Sequence, residues 1–331
     1  MRSRAVWLRN AALCLWLVCW FNPAVAFAQE RTIRLAGVVS EERMAPLMAA
    51  LVGRLPGVKL TYQRLSSAQI AAAAKRSVNA PFDIAILSSP DIAVSVANEG
   101  YAAPDEASGP VASAQWRNEV FGFWSDPAVI VLRRNAFADR MPRTRIELVR
   151  ALEQNSSRLS RRIGIVNIGI DDVSYLLASQ DSIRTSLYWR LMRAFGGANA
   201  RIYDTTDDLM EALQAGELDV LYNVPLSALP IGGNMLEGME IIAPQDYILA
   251  VPWVAFMPEG APNLRDARVV LHTLLSPESK PALLEAGFNY PAGFAGLENL
   301  QSIELGPELL VFRDTIKRSK FLDIWFQMVV N

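Results

Sequence analysis

Short β-like runs alternate with helical runs in the first third of the chain, and this alternation restricts the fold more than any other feature. Each β-like run is followed by an amphipathic or alanine-rich helical segment; the three runs are "TIRLAGV", "VKLTYQRL" and "FDIAILSS". Strand–helix repeats at this spacing predict a mostly parallel sheet with helices on both faces. In such sheets, the loops at the carboxyl ends of the strands form the binding crevice.

A second alternating series follows, and two long β-like segments flank it at 119–135 and 246–258. The chain after Asn263 is mainly helical, so it must pack on strands that are formed earlier. We therefore expect the chain to build most of one lobe, cross to a second, and return along a second hinge strand. A ligand would then lie between the lobes. The alternative is a pair of tandem domains, which would need a self-sufficient carboxyl-terminal piece.

These observations predict an α/β fold of two lobes, each a mixed, mostly parallel sheet with flanking helices, joined by two hinge crossovers. The expected boundaries are 1–28 for a signal peptide, 29–125 with 254–331 for lobe 1, and 126–253 for lobe 2.

The first 28 residues have the order of a cleaved secretory signal. Three arginines precede the apolar run "AALCLWLVCWF", and overlapping small-x-small sites end at Ala28, where we expect cleavage. An uncleaved anchor helix is the alternative. Both cysteines, Cys14 and Cys19, lie in this leader, so the mature chain would have none. Disulfides, a thiol nucleophile and a thiolate metal site are thereby excluded from it.

Catalytic and nucleic-acid-binding patterns are absent from the sequence. His272 is the only histidine and lies in the apolar run "ARVVLHTLLS". There is no Gly-x-Ser-x-Gly elbow and no phosphate-binding glycine loop after the first strand. The formal net charge of −2 is not that of a nucleic-acid-binding surface. We expect no enzyme, no cofactor and no metal site, although a carboxylate-only Ca²⁺ loop stays open.

Polar residues at predicted strand ends are the candidate ligand contacts. Ser88 and Ser89 end a strand before Pro90, where helix N–H groups and two hydroxyls could bind an anion. Ser89 could instead cap the helix, and Ser40 is likewise a cap first and a ligand contact second.

On the second lobe, the pair Tyr222 and Asn223 ends the apolar strand "DVLYNV" and could point into the crevice. The alternative for this pair is a polar strand end in water. Arg117, near the predicted hinge, is a candidate charge partner for an anion. The acidic pairs Asp171–Asp172 and Asp207–Asp208 are interpreted as offsetting helix dipoles.

Several segments in order along the chain resemble the periplasmic solute-binding proteins of ABC transporters, in the branch usually labelled ferric iron-type. The segments are "FDIAILSSPDIAVSVANEGYAAP", "WRNEVFGFWSDPAVIVLRRN", "YLLASQD", "GELDVLYNVPLSAL", "APQDYILAVPWVAFMP" and "LLVFRDTIKRSKFLDIW". The resemblance implies a type II clamshell in the periplasm that delivers a captured solute to a permease. Some relatives instead report the ligand to a sensor kinase.

Two departures from the family pattern affect the expected ligand. Ferric-binding members hold iron with adjacent tyrosines, whereas Asn223 follows Tyr222 here. The family's polar Thr-Tyr-Asp stretch is replaced by "GIVNIGIDDVSY", which places Asn167 near the expected site. The resemblance therefore implies a solute other than ferric iron, or one that is weakly held.

The sequence predicts a protein that captures a small solute, expected to be an anion, between two closing lobes. The ligand would bridge the serines of one lobe and the Tyr222–Asn223 pair of the other. The expected partner is an ABC transporter permease or, alternatively, a periplasmic sensor domain of a two-component kinase. We expect a monomer that binds no nucleic acid.

Overall fold

A computed structural model describes residues 31–76, 78–111, 114–137, 140–229, 236–288 and 298–330. The predicted signal peptide lies outside these residues. The strands are β1 (Arg31–Gly37), β2 (Val58–Arg64), β3 (Ile84–Leu87), β4 (Gln115–Trp116), β5 (Val120–Arg133), β6 (Ile163–Val166), β7 (Arg201–Tyr203), β8 (Val220–Pro225), β9 (Met239–Ile242), β10 (Ile248–Phe256) and β11 (Leu300–Ser302). The α-helices are α1 (Glu41–Arg54), α2 (Ser67–Ala74), α3 (Pro90–Asn98), α4 (Arg145–Gln154), α5 (Asp172–Arg184), α6 (Leu187–Gly197), α7 (Thr206–Gln214), α8 (Leu264–Leu275), α9 (Lys280–Glu285), α10 (Glu308–Val311) and α11 (Thr315–Val329).

The strands follow the order β2-β1-β3-β10-β5-β8-β6-β7, with β11 beside β10 and β4 and β9 beside β5. Strands β1, β2 and β3 are parallel to one another, as are β6, β7 and β8. Only the central β5 and β10 run antiparallel to their neighbours on this path. The parallel groups form the cores of two lobes, and the predicted two-lobe α/β architecture is confirmed.

The long strand β5 belongs to both lobes. Its first half, Phe121–Pro127, pairs with β10, and its second half, from Ala128 to Leu132, pairs with β8. The partner changes within one uninterrupted strand, so the lobes share a backbone hydrogen-bond ladder. The return passage starts at Tyr247, whose hydroxyl contacts Asp181 of lobe 2, and β10 then joins the lobe 1 sheet.

Apolar side chains cover both faces of each half of the sheet. In lobe 1, one cluster lies under α2 and α3 and another under α1, α8 and α9. In lobe 2, one cluster involves α4, α5, α6 and α11, and the other lies under α7. Within the described part of the chain, no helix has the length and apolar character needed to cross a bilayer.

The carboxyl-terminal helix corrects the predicted domain boundaries. Helix α11 packs against α6 of lobe 2, where Phe321 lies beside Tyr188 and Trp189 and Trp325 is buried. The expectation that all of 254–331 belongs to lobe 1 is therefore wrong for α11. The sequence shows that this helix has aromatic residues, but periodicity does not show which apolar surface they cover. The chain thus passes between the lobes a third time, between α10 and α11.

Replacing Trp325 with alanine tests the dependence of lobe 2 on α11. Trp325 is 2% exposed, so Trp325→Ala should lower the free energy of unfolding by about 3–5 kcal/mol, because a large buried side chain is lost. The neighbouring Ile324→Ala is the control; Ile324 is 43% exposed and its replacement should change stability by less than about 0.5 kcal/mol. Urea unfolding followed by tryptophan fluorescence and circular dichroism measures both. Equal effects of the two substitutions would contradict this packing.

Candidate ligand-binding cleft

A cleft of about 420 Å³ lies between the lobes at the carboxyl ends of their parallel strands. Lobe 1 contributes residues that follow β1, β2 and β3, and lobe 2 contributes residues that follow β6, β7 and β8. The lobe 1 wall consists of Val38, Val39, Ser40, Arg43, Arg64, Ser66, Ser67, Ser88 and Ser89. The lobe 2 wall consists of Ile170, Asp171, Asp172, Val173, Thr206, Asp207, Pro225, Ser227 and Ala228, and the floor of Asp126, Val251 and Trp253.

Helix N-termini carry hydroxyl groups to the lobe 1 wall. Ser40 caps α1, accepting from the Arg43 amide at 3.4 Å, and Ser66 forms a capping box with Gln69 at α2. Ser89 precedes α3 but its side chain makes no capping hydrogen bond; its Oγ lies 3.2 Å from Ser67 Oγ instead. Ser89 therefore occupies the N-cap position of α3, as the alternative interpretation expected, but its side chain does not cap the helix.

Arg43 is a partly buried cation of this wall that sequence analysis missed. Its Nε donates to the Ala286 carbonyl at 3.0 Å, and its guanidinium lies 5.3 Å from the centre of the Phe288 ring. Its Nη2 is buried and has no hydrogen-bond partner among the described residues. Burial lowers the pKa of Arg43, while the charges of Asp126 and Asp207 oppose this change. Because Arg43 also lines the cleft, its guanidinium is a candidate charged donor to an oxygen of a ligand.

A signal for Arg43 was present in the sequence. It stands in the first turn of α1, three residues after the capping Ser40. The helix dipole disfavours a cation at that end, so an arginine there needs another reason to be present.

Asp126 closes the floor of the cleft. It is 2% exposed and accepts hydrogen bonds from the Ser227 amide at 3.0 Å and from Trp253 Nε1 at 3.1 Å. The Ser227 hydroxyl also donates to it. Burial raises the pKa of Asp126, and these donors oppose the rise. The carboxylate thus links β5 and β10 to the turn after β8, where the lobes meet.

The lobe 2 wall carries three carboxyl groups. Asp171 caps α5 by accepting from the Ser174 amide at 2.6 Å, and Asp207 lies in the first turn of α7. Burial, followed by the charge of Asp91, raises the pKa of Asp172. These positions are compatible with the interpretation that the acidic pairs offset the helix dipoles. That interpretation did not include the fact that the acidic residues at the N-termini of α5 and α7 line the same cleft.

The structure brings together Ser40, Ser88 and Ser89 in the cleft, whereas Tyr222 and Asn223 lie elsewhere. The expectation that this pair faces Ser88 is wrong. Strand β8 continues to Pro225, so Tyr222 lies within the strand rather than at its end, and the turn with Ser227 and Ala228 reaches the cleft instead.

Tyr222 belongs to a buried polar network in lobe 2. Its hydroxyl accepts from Arg145 Nε at 2.9 Å and donates to Asp181, which also accepts from Asn223 Nδ2 at 3.0 Å. Arg145 and Asp181 are fully buried, and Arg145 Nη1 donates to the Tyr247 carbonyl at 2.7 Å. Burial raises the pKa of the Tyr222 hydroxyl, which therefore keeps its proton. The network fixes the return passage of the chain to α4, α5 and β8.

Asn223, Arg117 and Asn167 have local structural contacts. The backbone of Asn223 is in the left-handed region, with φ of 52°, which asparagine tolerates better than most residues. Arg117 lies in the turn after β4, and its Nη2 is 3.5 Å from Glu119 Oε1. Asn167 donates to Asp204 at 2.8 Å and accepts from the Gly169 amide at 3.0 Å, which shapes the loop before α5. None of the three is among the residues that line the cleft.

His272 lies outside the cleft, on α8, where its Nε2 is 2.6 Å from Asp105 Oδ1. Over the described residues, no group of three or more histidine, cysteine, aspartate or glutamate side chains is placed to hold a metal ion.

Comparison with known proteins identifies the class. A family model for bacterial extracellular solute-binding proteins matches residues 37–289, and the chain belongs to this family. The predicted family resemblance is thereby confirmed. The search of curated proteins gave no significant match.

Solved structures with the same fold contain different ligands. The substrate-binding protein of an ABC transporter from Agrobacterium tumefaciens has a TM-score of 0.78 and 22% identity, over 92% of this chain and 96% of that one. Iron-bound HitA from Pseudomonas aeruginosa has a TM-score of 0.67 and 15% identity, over 90% and 99%. AfuA from Actinobacillus pleuropneumoniae, with fructose-6-phosphate bound, has a TM-score of 0.65 and 12% identity, over 91% and 99%. At these identities the likeness shows the fold, and the ligand must be argued from the site.

Removing the Tyr222 hydroxyl tests its structural role. Tyr222→Phe should lower the free energy of unfolding by about 1–3 kcal/mol, because a buried arginine and a buried aspartate each lose a hydrogen-bond partner. The control is Tyr101→Phe at a partly exposed tyrosine of lobe 1, which should change stability by less than about 0.5 kcal/mol. Chemical denaturation measures both. Unchanged stability of Tyr222→Phe together with loss of ligand binding would restore the sequence interpretation.

Proposed function

We propose that this protein captures a small solute in the interlobe cleft and delivers it to the membrane permease of an ABC transporter, in the periplasm. The observation that carries the proposal is that strand ends from both lobes line one cleft across a strand shared by both lobes. A solute that contacts both walls favours the closed arrangement, because the bridging contacts exist only there. Several solved structures of this fold belong to ABC transporters, which supports delivery to a permease.

The proposed capture is binding without chemistry. Ser67 and Ser88 offer hydroxyl groups on one wall, Ser227 offers another on the opposite wall, and Trp253 provides an apolar surface on the floor. The only histidine of the sequence is paired with Asp105 outside the cleft. We propose that the protein acts as a monomer and has no enzymatic activity.

A thermal-shift screen of the mature chain against carboxylates, phosphates, sugars and polyamines tests capture. A solute present at 100 times its Kd should stabilise the protein by about 2.7 kcal/mol through mass action. Ser88→Ala should then weaken binding of that solute roughly threefold to tenfold, because one hydrogen bond is lost. Ser95→Ala, on the outer part of the same helix α3, is the matched control and should bind normally. Failure of all four compound classes to shift the melting temperature would contradict the proposal.

Uptake measurements distinguish transport from sensing. Cells that lack this protein should lose high-affinity uptake of the labelled solute that binds in the screen, and the wild-type gene should restore it. Normal uptake combined with loss of solute-dependent gene expression would favour the sensory role instead.

A further inference from the structure

The charges of the cleft are segregated between its walls. The lobe 1 wall includes the cations Arg43 and Arg64 and no acid, and the acid of the floor, Asp126, is already hydrogen-bonded to Ser227 and Trp253. The lining residues of lobe 2 include Asp171, Asp172 and Asp207 and no cation. The N-termini of α1, α2 and α3 add positive partial charge to the first wall, whereas Asp171 and Asp207 place full negative charges over the N-termini of α5 and α7 on the second. The two walls therefore select for opposite groups.

The acidic character extends from the lobe 2 wall into an adjoining cavity. This cavity of about 510 Å³ shares Arg43, Asp207, Ser227 and Ala228 with the cleft. It is lined in addition by Glu42, Glu211 and Glu285, and Arg43 is the single cation among its lining residues. Carboxylates concentrated at the mouth of a cleft raise the local concentration of cations.

The opposing charges attract one another across the cleft, because Asp207 and the floor's Asp126 act on Arg43, but within the described residues they form no close ion pair. Among the ion pairs that the described residues form, none joins Arg43 or Arg64 to an acid of the lobe 2 wall. Arg43 lines the cleft, and no carboxylate among the described residues accepts a hydrogen bond from its guanidinium, whose Nε donates to the Ala286 carbonyl. Both walls thus present charge that a solute could pair.

We infer that the solute carries both charges: an anionic carboxylate or phosphoryl group against Arg43, Ser67 and Ser88, and an ammonium group against Asp171 and Asp207. This assignment rests on the proposed function and corrects the expectation of a simple anion. Closure around a simple anion would desolvate the lobe 2 carboxylates without a partner, and closure around a simple amine would do the same to Arg43. A solute with only one charge leaves the charge of the opposite wall unpaired, which weakens its binding. The two walls therefore select the solute as well as attract it.

Matched probes separate the two charges. One set is 4-aminobutyrate with butyrate and butylamine; the second is 2-aminoethyl phosphate with ethyl phosphate and ethylamine; homologues with chains of two to six carbons extend both. Isothermal titration calorimetry should find a two-charge probe that binds at least about 30-fold more tightly than either of its single-charge analogues. A single-charge analogue that binds as tightly, or failure of every two-charge probe, overturns the inference.

Two charge-removing variants locate each group of the probe. Asp207→Asn should weaken the two-charge probe at least about tenfold and leave its anionic analogue unaffected. Arg43→Gln should weaken the two-charge probe and its anionic analogue alike. Matched controls are Asp323→Asn on the exposed face of α11 and Arg265→Gln on α8, which should bind as the wild type does. Unchanged affinity of Asp207→Asn for the two-charge probe would overturn the inference. A changed radius of gyration of the same variant without ligand would then show that Asp207 pairs with the opposite wall instead of with the solute.

Different results would refute the two-charge solute and the capture of a solute in general. Binding of a sugar or a simple anion in the broader screen, with no two-charge probe bound, refutes the two-charge solute and leaves solute capture intact. Absence of any bound compound in both screens refutes both.

Discussion

The pairing of β5 with two different sets of strands is the constraint on which the rest of the structure depends. Its first half completes the lobe 1 sheet beside β10, and its second half completes the lobe 2 sheet beside β8. Because backbone hydrogen bonds run along its whole length, the lobes cannot separate without breaking a buried ladder. The carboxyl ends of both parallel groups then face each other, which creates the cleft.

Two buried carboxylates fix this arrangement at different places. Asp126 joins both long central strands to the turn with Ser227 and forms the floor of the cleft. Asp181 pairs with the buried Arg145 inside lobe 2 and accepts from Tyr222 and Tyr247. Buried ion pairs cost desolvation energy, so their value here is to fix one geometry rather than to add stability. Removing one partner would leave the other charge buried and unpaired.

The sequence alone was sufficient for the strand–helix alternation, the two lobes and the serines that line one wall. Ser40, Ser88 and Ser89 each follow an apolar strand of lobe 1, and the strand-end rule placed them correctly in the cleft. The same rule misplaces Tyr222, because the change from apolar to polar residues at Tyr222 is not the end of the strand: β8 continues to Pro225. The position of Arg43 in the first turn of α1 is a weak signal, because the sequence does not show that α9 and the cleft enclose this side chain.

The sequence determined what is encoded over short distances: strand and helix periods, capping serines, and the family resemblance that the family model confirms. Tertiary structure decided which lobe α11 covers, which polar residues meet across the cleft, and that Tyr222 serves a buried ion pair. These outcomes depend on pairings between residues as far apart as Arg145 and Asp246, or Asp126 and Ser227. Local patterns do not specify such pairings, because apolar faces and charged side chains have many compatible partners until the whole chain has packed.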